Sequence, residues 1–342
     1  MRCDFPFSLD KLSNCSIDEK QLEKYRVEKV DFKYSLGIGL TSKCNLSCPF
    51  CYYHSKHTLN PSYFDLALFS KIIEDLPFLN MVTFSLEGEG FCHPNFLEFI
   101  KIASLKSKQI EITTNGLLYK MNDIMNLLKF NVSSISLSID SGDEEQYKFL
   151  RFGGNFSRIK DNAKEFVQAF GESVVRLYAV VNNRNLDGLL KLPKLAFQLG
   201  VKEIGLGQIR TNTLSIENGI FRAKEVDLIN LLNSMNSLCK EYGIRLKLDP
   251  FFATPNVMKQ ILNVRNLSCF PSIYNDYCNL PYFFTSILSS GTLFTCCGDL
   301  EPQQIKEYSF DGIFNHRSLL MLRYLLNTKK IPKMCLQCHN LI

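Results

Sequence analysis

The chain has 342 residues, 46% of them apolar and 21% charged, with a formal net charge of +5. That length allows one large domain or a domain with an appendage, and the apolar share supports a sizeable core. The mild basic excess contains no long Lys/Arg block and the N-terminus no apolar export run, and no stretch approaches the roughly 18 apolar residues of a membrane span, so a nucleic-acid or membrane partner is not expected and a cytoplasmic location is.

Residues 1–33 offer one helical stretch, around Ile17–Val30. From Tyr34 the chain alternates short strand candidates with longer amphipathic segments. The strand candidates are Tyr34–Thr41, Met81–Leu86, Gln109–Thr114, Ser133–Asp140, Val174–Val181 and Glu203–Ile209, rich in Val, Ile, Phe and Thr and bounded by turn residues. Helical spacing marks Ser62–Leu76, Asn95–Lys106, Met121–Phe130, Asn155–Phe170 and Asn185–Gly200, with Pro193 kinking the last or starting a helix there. Strand-then-helix units predict an α/β fold with a parallel sheet and helices outside. Six units are too few to close an eight-fold barrel, so a partial (β/α)6 barrel is expected. Past residue 243 the rhythm breaks into short strands (Ile244–Asp249, Tyr282–Leu288, Thr292–Cys296) and one helix (Asn315–Leu326), which reads as a small appended α+β domain over residues 243–342.

Thirteen cysteines in a chain with no export run argue for metal rather than disulfides, because they cluster. Cys44, Cys48 and Cys51 lie in "TSKCNLSCPFCYY", directly after the first strand, where parallel α/β folds place their chemistry. Cys278, Cys296, Cys335 and Cys338 lie near the end, whereas Cys3, Cys15, Cys92 and Cys239 are scattered and read as small apolar residues. A Cys-x3-Cys-x2-Cys spacing is not a usual zinc pattern. Three thiolates suit a 4Fe-4S cluster that leaves one iron open to a small molecule. A zinc or structural cysteine site is the alternative.

Cys44-Asn-Leu-Ser-Cys48-Pro-Phe50-Cys51 resembles the signature of the radical S-adenosylmethionine (radical SAM) enzymes. The resemblance implies a cluster whose open iron chelates SAM, reductive cleavage to a 5′-deoxyadenosyl radical, and hydrogen abstraction from a substrate. Further matches follow at successive strand ends. "SLEGEGFCHP" resembles the family's Gly-Gly-Glu-Pro segment at Gly88 and Glu89, with Glu87 in place of the first Gly and Gly90 in place of Pro. "TTNGLL" resembles its Thr-Asn-Gly turn at Thr114 and Asn115. By resemblance Ser138 contacts the SAM carboxylate or ribose, Asp140 supports that region, Arg151 pairs with the carboxylate, Asn185 sits on the adenosine side, and Phe50 is the aromatic residue beside the last cysteine. A guanidinium is the natural bidentate partner of a carboxylate.

Cys278, Cys296 and the Cys335-x2-Cys338 pair resemble the SPASM/twitch region of the same enzymes. That implies one auxiliary 4Fe-4S cluster held by four cysteines, with Cys297 or Cys269 as substitute ligands. Structural zinc is the alternative here as well. The expected organisation is an N-terminal extension (1–33), a radical SAM core (34–242) and an auxiliary-cluster domain (243–342).

Among the remaining candidates, His54 and His57 follow the cysteine loop and serve either proton transfer or nothing beyond a solvated loop, and His93 reads as structural. Asp249 is a candidate catalytic base or a strand-end turn before Pro250. The resemblance implies an enzyme that modifies peptides, with the alternatives of dehydrogenating, epimerising or decarboxylating a sugar or aminocyclitol, or of a non-catalytic metal-cluster protein. An external electron donor such as flavodoxin or ferredoxin is the implied partner.

Overall fold

The computed structural model describes residues 19–28, 34–53, 60–76, 78–106, 109–209, 213–249, 267–269, 280–294, 303–305 and 307–328. Among these residues eleven strands form one sheet: β1 Tyr34–Ile38, β2 Leu79–Phe84, β3 Gln109–Thr114, β4 Val132–Ser138, β5 Val175–Val181, β6 Glu203–Gln208, β7 Arg245–Leu248, β8 Leu267–Cys269, β9 Phe284–Ile287, β10 Thr292–Phe294 and β11 Gln303–Gln304. Their order is β11-β10-β9-β1-β2-β3-β4-β5-β6-β7-β8. All neighbours from β9 through β8 pair in parallel, while β10 and β11 run antiparallel.

The helices are α1 Glu19–Glu23, α2 Leu66–Asp75, α3 Phe96–Lys106, α4 Met121–Leu127, α5 Glu144–Leu150, α6 Phe156–Phe170, α7 Leu186–Leu189, α8 Leu192–Leu199, α9 Thr213–Glu217, α10 Glu225–Glu241, α11 Leu280–Phe283, α12 Phe310–Phe314 and α13 Arg317–Asn327. Asp65, Asp143 and Asn155 cap the first turns of α2, α5 and α6 with their side-chain oxygens, which is why these helices begin where they do. Of the two expectations at Pro193, a kink or a helix start, the start is what forms: Pro193 lies in the first turn of α8, where its missing N–H costs nothing.

The sheet has two different faces. Leu36, Ile38, Val82, Phe84, Ile112, Ile135, Leu177 and Leu206 belong to one buried apolar cluster with the helix residues Phe69, Ile72, Phe99, Ile124, Ile159, Phe166 and Leu232. Most alternate positions are polar or small, Met81 and Val180 being the apolar exceptions. Arg176 donates to Ser136 Oγ at 2.6 Å, and the ring of Tyr178 occupies space that a Cβ at Gly205 or Gly207 would fill. This is the expected α/β partial barrel, apolar outside under the helices and polar inside.

The sheet does not stop at residue 243. β7 and β8 extend it beyond β6, and β9 pairs in parallel with β1 on the other edge, Ser35 facing Phe284 and Ile38 facing Ile287. The N-terminal segment also joins the C-terminal helices: Val27 N donates to Asn315 Oδ1 at 2.8 Å and Asn315 Nδ2 to Val27 O at 2.9 Å. Among the described residues, no helix is long and apolar enough to cross a membrane.

Candidate cofactor site at the mouth of the barrel

In a parallel sheet all strands point their C-terminal ends to one side. Here those ends carry the cysteine loop after β1, Gly88 and Glu89 after β2, Thr114 and Asn115 at β3, Ser138 at β4, and Arg151 just past α5. These residues line a single cleft of about 320 Å³, together with Ser42, Lys43, Tyr53, Pro61 and Thr113. Ser42, Lys43, Tyr53 and Pro61 carry no chemical motif in the sequence; their closeness to the cysteines was the one signal that could have found them.

The cysteine loop is closed by an isolated bridge between Thr41 and Tyr63. Cys44 is exposed to the cleft, Cys51 half-buried and Cys48 buried. Burial pushes the Cys44 thiol up to about 12, partly offset by the Leu46 N–H that points at its sulfur from 3.4 Å. Burial likewise raises Cys48 to about 11, with the Arg151 guanidinium working against it.

Glu89 ties three elements together. Its Oε1 accepts from Thr114 Oγ1 at 2.7 Å, its Oε2 from Asn115 N at 2.7 Å, and its own N–H donates to Lys43 O at 2.8 Å. Burial raises its pKa and these hydrogen bonds lower it, burial being the larger effect. Asn115 Nδ2 donates to Asn45 Oδ1 at 2.8 Å, so the turn after β3 also grips the cysteine loop. Gly88 has φ +60°, and a Cβ there would stand 2.0 Å from Thr41 O and 2.6 Å from Lys43 O. Only glycine fits a left-handed position that presses against another backbone.

Arg151 Nε donates to Asp140 Oδ2 at 2.5 Å, and the guanidinium lies 5.9 Å from the centre of the Phe50 ring. Asp140 is fully buried and also accepts from Val180 N at 2.8 Å. Asn185 does not reach the cleft lining. It is fully buried, its Nδ2 donates to Asp140 O and Val180 O at 2.9 Å each, and its Oδ1 accepts from Asn182 N at 2.9 Å, so it braces Asp140 from behind.

Asp249 directly follows β7, where its Oδ2 accepts from Tyr178 OH. Burial, followed by the Asp249 carboxylate, holds the Tyr178 phenol well above its ordinary pKa. His93 is structural: its Nδ1 accepts from Asn95 N at 3.1 Å, which leaves Nε2 to donate to Phe64 O at 3.1 Å. Of the scattered cysteines, Cys239 is buried and Cys92 half-buried. His54, His57, Cys278, Cys296, Cys297, Cys335 and Cys338 lie outside the described residues, as does the side chain of Cys269.

The donor set fits a soft-metal cluster. Three thiols share one cleft wall, whereas among the described residues no three His, Cys, Asp or Glu side chains converge to hold a single metal ion. Thiols held at about 11 and 12 lose their protons to a bound metal far more readily than to neutral water.

Residues 38–196 match the family model of the Radical SAM superfamily. Among curated proteins, a probable GTP 3′,8-cyclase of Saccharolobus islandicus is 30% identical over 175 residues, covering 50% of this chain and 55% of the relative. A tungsten-containing aldehyde ferredoxin oxidoreductase cofactor-modifying protein of Pyrococcus furiosus is 24% identical over 227 residues, 64% of this chain and 62% of the relative. The chain thus spans under two thirds of the length of these curated relatives. Among solved structures, SuiB of Streptococcus suis bound to the precursor peptide SuiA superposes with a TM-score of 0.65 at 19% identity, covering 100% of this chain and 77% of that one. The protein anSMEcpe with bound AdoMet and Cp18Cys peptide gives 0.59 at 18%, covering 89% and 87%. Both share the fold.

Proposed function

We propose that the chain is a radical SAM enzyme, with Cys44, Cys48 and Cys51 holding a 4Fe-4S cluster and SAM lying across the mouth of the barrel. The observation that carries this reading is the cleft itself, which gathers the three thiols, Gly88, Glu89, Asn115, Ser138 and Arg151 from consecutive strand ends. The chemistry such a cluster supplies when bound is one-electron reduction of SAM to methionine and a 5′-deoxyadenosyl radical. The protein's own residues do the positioning. Gly88 lets its loop press against the Thr41–Lys43 backbone, Glu89 and Asn115 lock that loop to the cysteine loop, and Arg151, aligned by Asp140, would receive the SAM carboxylate.

In this reading residues 243–342 hold one auxiliary 4Fe-4S cluster on Cys278, Cys296, Cys335 and Cys338, an external flavodoxin or ferredoxin supplies electrons, and the enzyme works in the cytoplasm. A peptide is the first substrate class, supported by the fold shared with two peptide-bound proteins. A small molecule is the second, supported by the identity with the probable GTP 3′,8-cyclase. Asp249, held by Tyr178 inside the barrel, is then the candidate proton acceptor.

Anaerobic reconstitution with iron and sulfide counts, followed by a 5′-deoxyadenosine assay with SAM and dithionite, tests the proposal. About eight irons, two four-iron clusters, and steady deoxyadenosine formation are expected. Four irons with turnover would remove the auxiliary cluster. Zinc in place of iron, or an intact cluster that leaves SAM uncleaved, would refute the enzyme reading.

A further inference from the structure

Glu87 is where the chain departs from the family's glycine, and it is not idle. Its carboxylate is buried and accepts the backbone N–H of Ser289, in the turn between β9 and β10. β1 makes room for it: a Cβ at Gly39 would stand 2.8 Å from Glu87 Oε1 and 2.9 Å from its Cγ. The residue before it, Leu86, has φ +86°, a strained conformation for a branched side chain that persists only where its surroundings impose it.

Ser289 also reaches the other wall of the cleft. Its hydroxyl lies 2.5 Å from Ser62 Oγ, and Ser62 donates to Ser42 Oγ from its own N–H at 2.9 Å and from its hydroxyl at 3.2 Å. Ser42 precedes Lys43 and Cys44, and the carbonyl of Lys43 accepts from Glu89 N at 2.8 Å. One residue, more than two hundred positions downstream, therefore holds the Leu86–Glu89 loop with its amide and the cysteine loop with its hydroxyl.

We propose that Ser289 and Glu87 are positioning residues that fix the spacing between the cysteine loop and the Gly88–Glu89 loop, so that the seating of the β9–β10 turn sets how tightly SAM is held. This rests on the reading that the cleft takes SAM.

The test compares Glu87→Gly, Glu87→Gln, Ser289→Ala and Glu87→Gly/Ser289→Ala in the reconstituted full chain, by SAM affinity from equilibrium dialysis, iron content and thermal midpoint. Glu87→Gly removes the carboxylate arm and is expected to weaken SAM binding roughly tenfold, the size of one hydrogen bond to a charged group, at unchanged iron content. Glu87→Gln keeps an acceptor for the Ser289 N–H and is expected to stay within about twofold of wild type. The double variant should lose less than the product of the single losses, because both arms act through one turn.

Wild-type affinity in Glu87→Gly, equal losses for Gly and Gln, or a midpoint change with SAM affinity intact would each overturn the proposal. Hydrogen exchange of the cluster-free protein gives a readout that does not need SAM: Glu87→Gly should speed exchange at both Ser289 N–H and Glu89 N–H. Should wild type fail to bind SAM, the cofactor reading falls, and unchanged exchange would dispose of the tie on its own.

Discussion

Arg151 and Asp140 share a 2.5 Å hydrogen bond, and the carboxylate receiving it has no exposure to solvent. The pair converts a long, mobile side chain into a fixed donor at the rim of the cleft. Removing the carboxylate leaves a guanidinium desolvated beside Cys48. Asp140→Ala is therefore expected to lower the unfolding free energy of the cluster-free protein by about 3 kcal/mol, the usual cost of breaking a buried pair. Lys148→Ala, at an exposed pair with Glu144, should leave the urea midpoint where it was. Equal midpoints for the two variants would mean the Arg151–Asp140 bond is not a structural tie.

Inside the barrel, glycine makes room for tyrosine. A Cβ at Gly207 would stand 2.1 Å from Tyr178 OH and 2.9 Å from Asp249 Oδ2. Gly207→Ala should cost roughly 1–3 kcal/mol through overpacking. Tyr178→Phe removes the clashing oxygen, so the double variant should be more stable than the sum of single effects predicts. Strict additivity in urea unfolding would count against this contact.

Arg323 is fully buried and, among the described residues, has no carboxylate partner. Its guanidinium donates to Pro281 O at 2.8 and 3.0 Å, to Phe314 O at 2.6 Å, to Tyr25 O at 3.0 Å and to Asn315 Oδ1 at 3.3 Å, with the Tyr282 ring 5.0 Å away. Burial lowers its pKa to about 10. Because the planar fork is what reaches those oxygens, Arg323→Lys should resemble Arg323→Met rather than wild type, each losing about 3 kcal/mol or more. Limited proteolysis near Tyr25 should speed up in both, since the N-terminal segment hangs on this residue.

Alkaline pH should weaken the fold. Burial raises the phenols of Tyr119, Tyr147 and Tyr178 above their ordinary 10.0, and the thiols of Cys44, Cys48 and Cys239 to about 12, 11 and 12 from 9.0. Above pH 9 to 10 the folded state thus keeps protons that the unfolded chain gives up, so its stability falls as pH rises through that range. Arg323 acts in the opposite sense, one group against six. Urea midpoints of the cluster-free protein should drop between about pH 8 and pH 10.5, and Tyr178→Phe should shallow the drop.

The barrel strands β1–β6 were legible because each is a short Val/Ile/Phe/Thr run closed by a turn, and the cysteine loop because few physical reasons put three thiols within eight residues. Three helices of the core were not expected. α5 and α9 are short, and α5 is charged, so neither shows a strong helical period, whereas the α10 segment Glu225–Glu241 carries Leu228, Leu231, Leu232, Met235 and Cys239 at helical spacing among its Asn and Ser residues and was legible. Arg151 could be named from its neighbourhood, but its partner Asp140 and the brace from Asn185 depend on side-chain directions that spacing does not encode. The pairing of β9 with β1 and the grip of Ser289 on Glu87 were invisible for a plainer reason: contacts over such separations leave no local signature.

That pairing has a consequence for how the molecule is made. Ser35 meets Phe284, so during synthesis β1 waits with one edge bare until β9, far downstream, has emerged. An unpaired strand edge is a template for other strands, and closing so long a loop is slow. The loop that carries the three cysteines grows directly from that edge. On the proposed cluster reading, iron delivered early would meet a loop that Ser289 does not yet hold, so maturation of the centre belongs after β9 and β10 have docked.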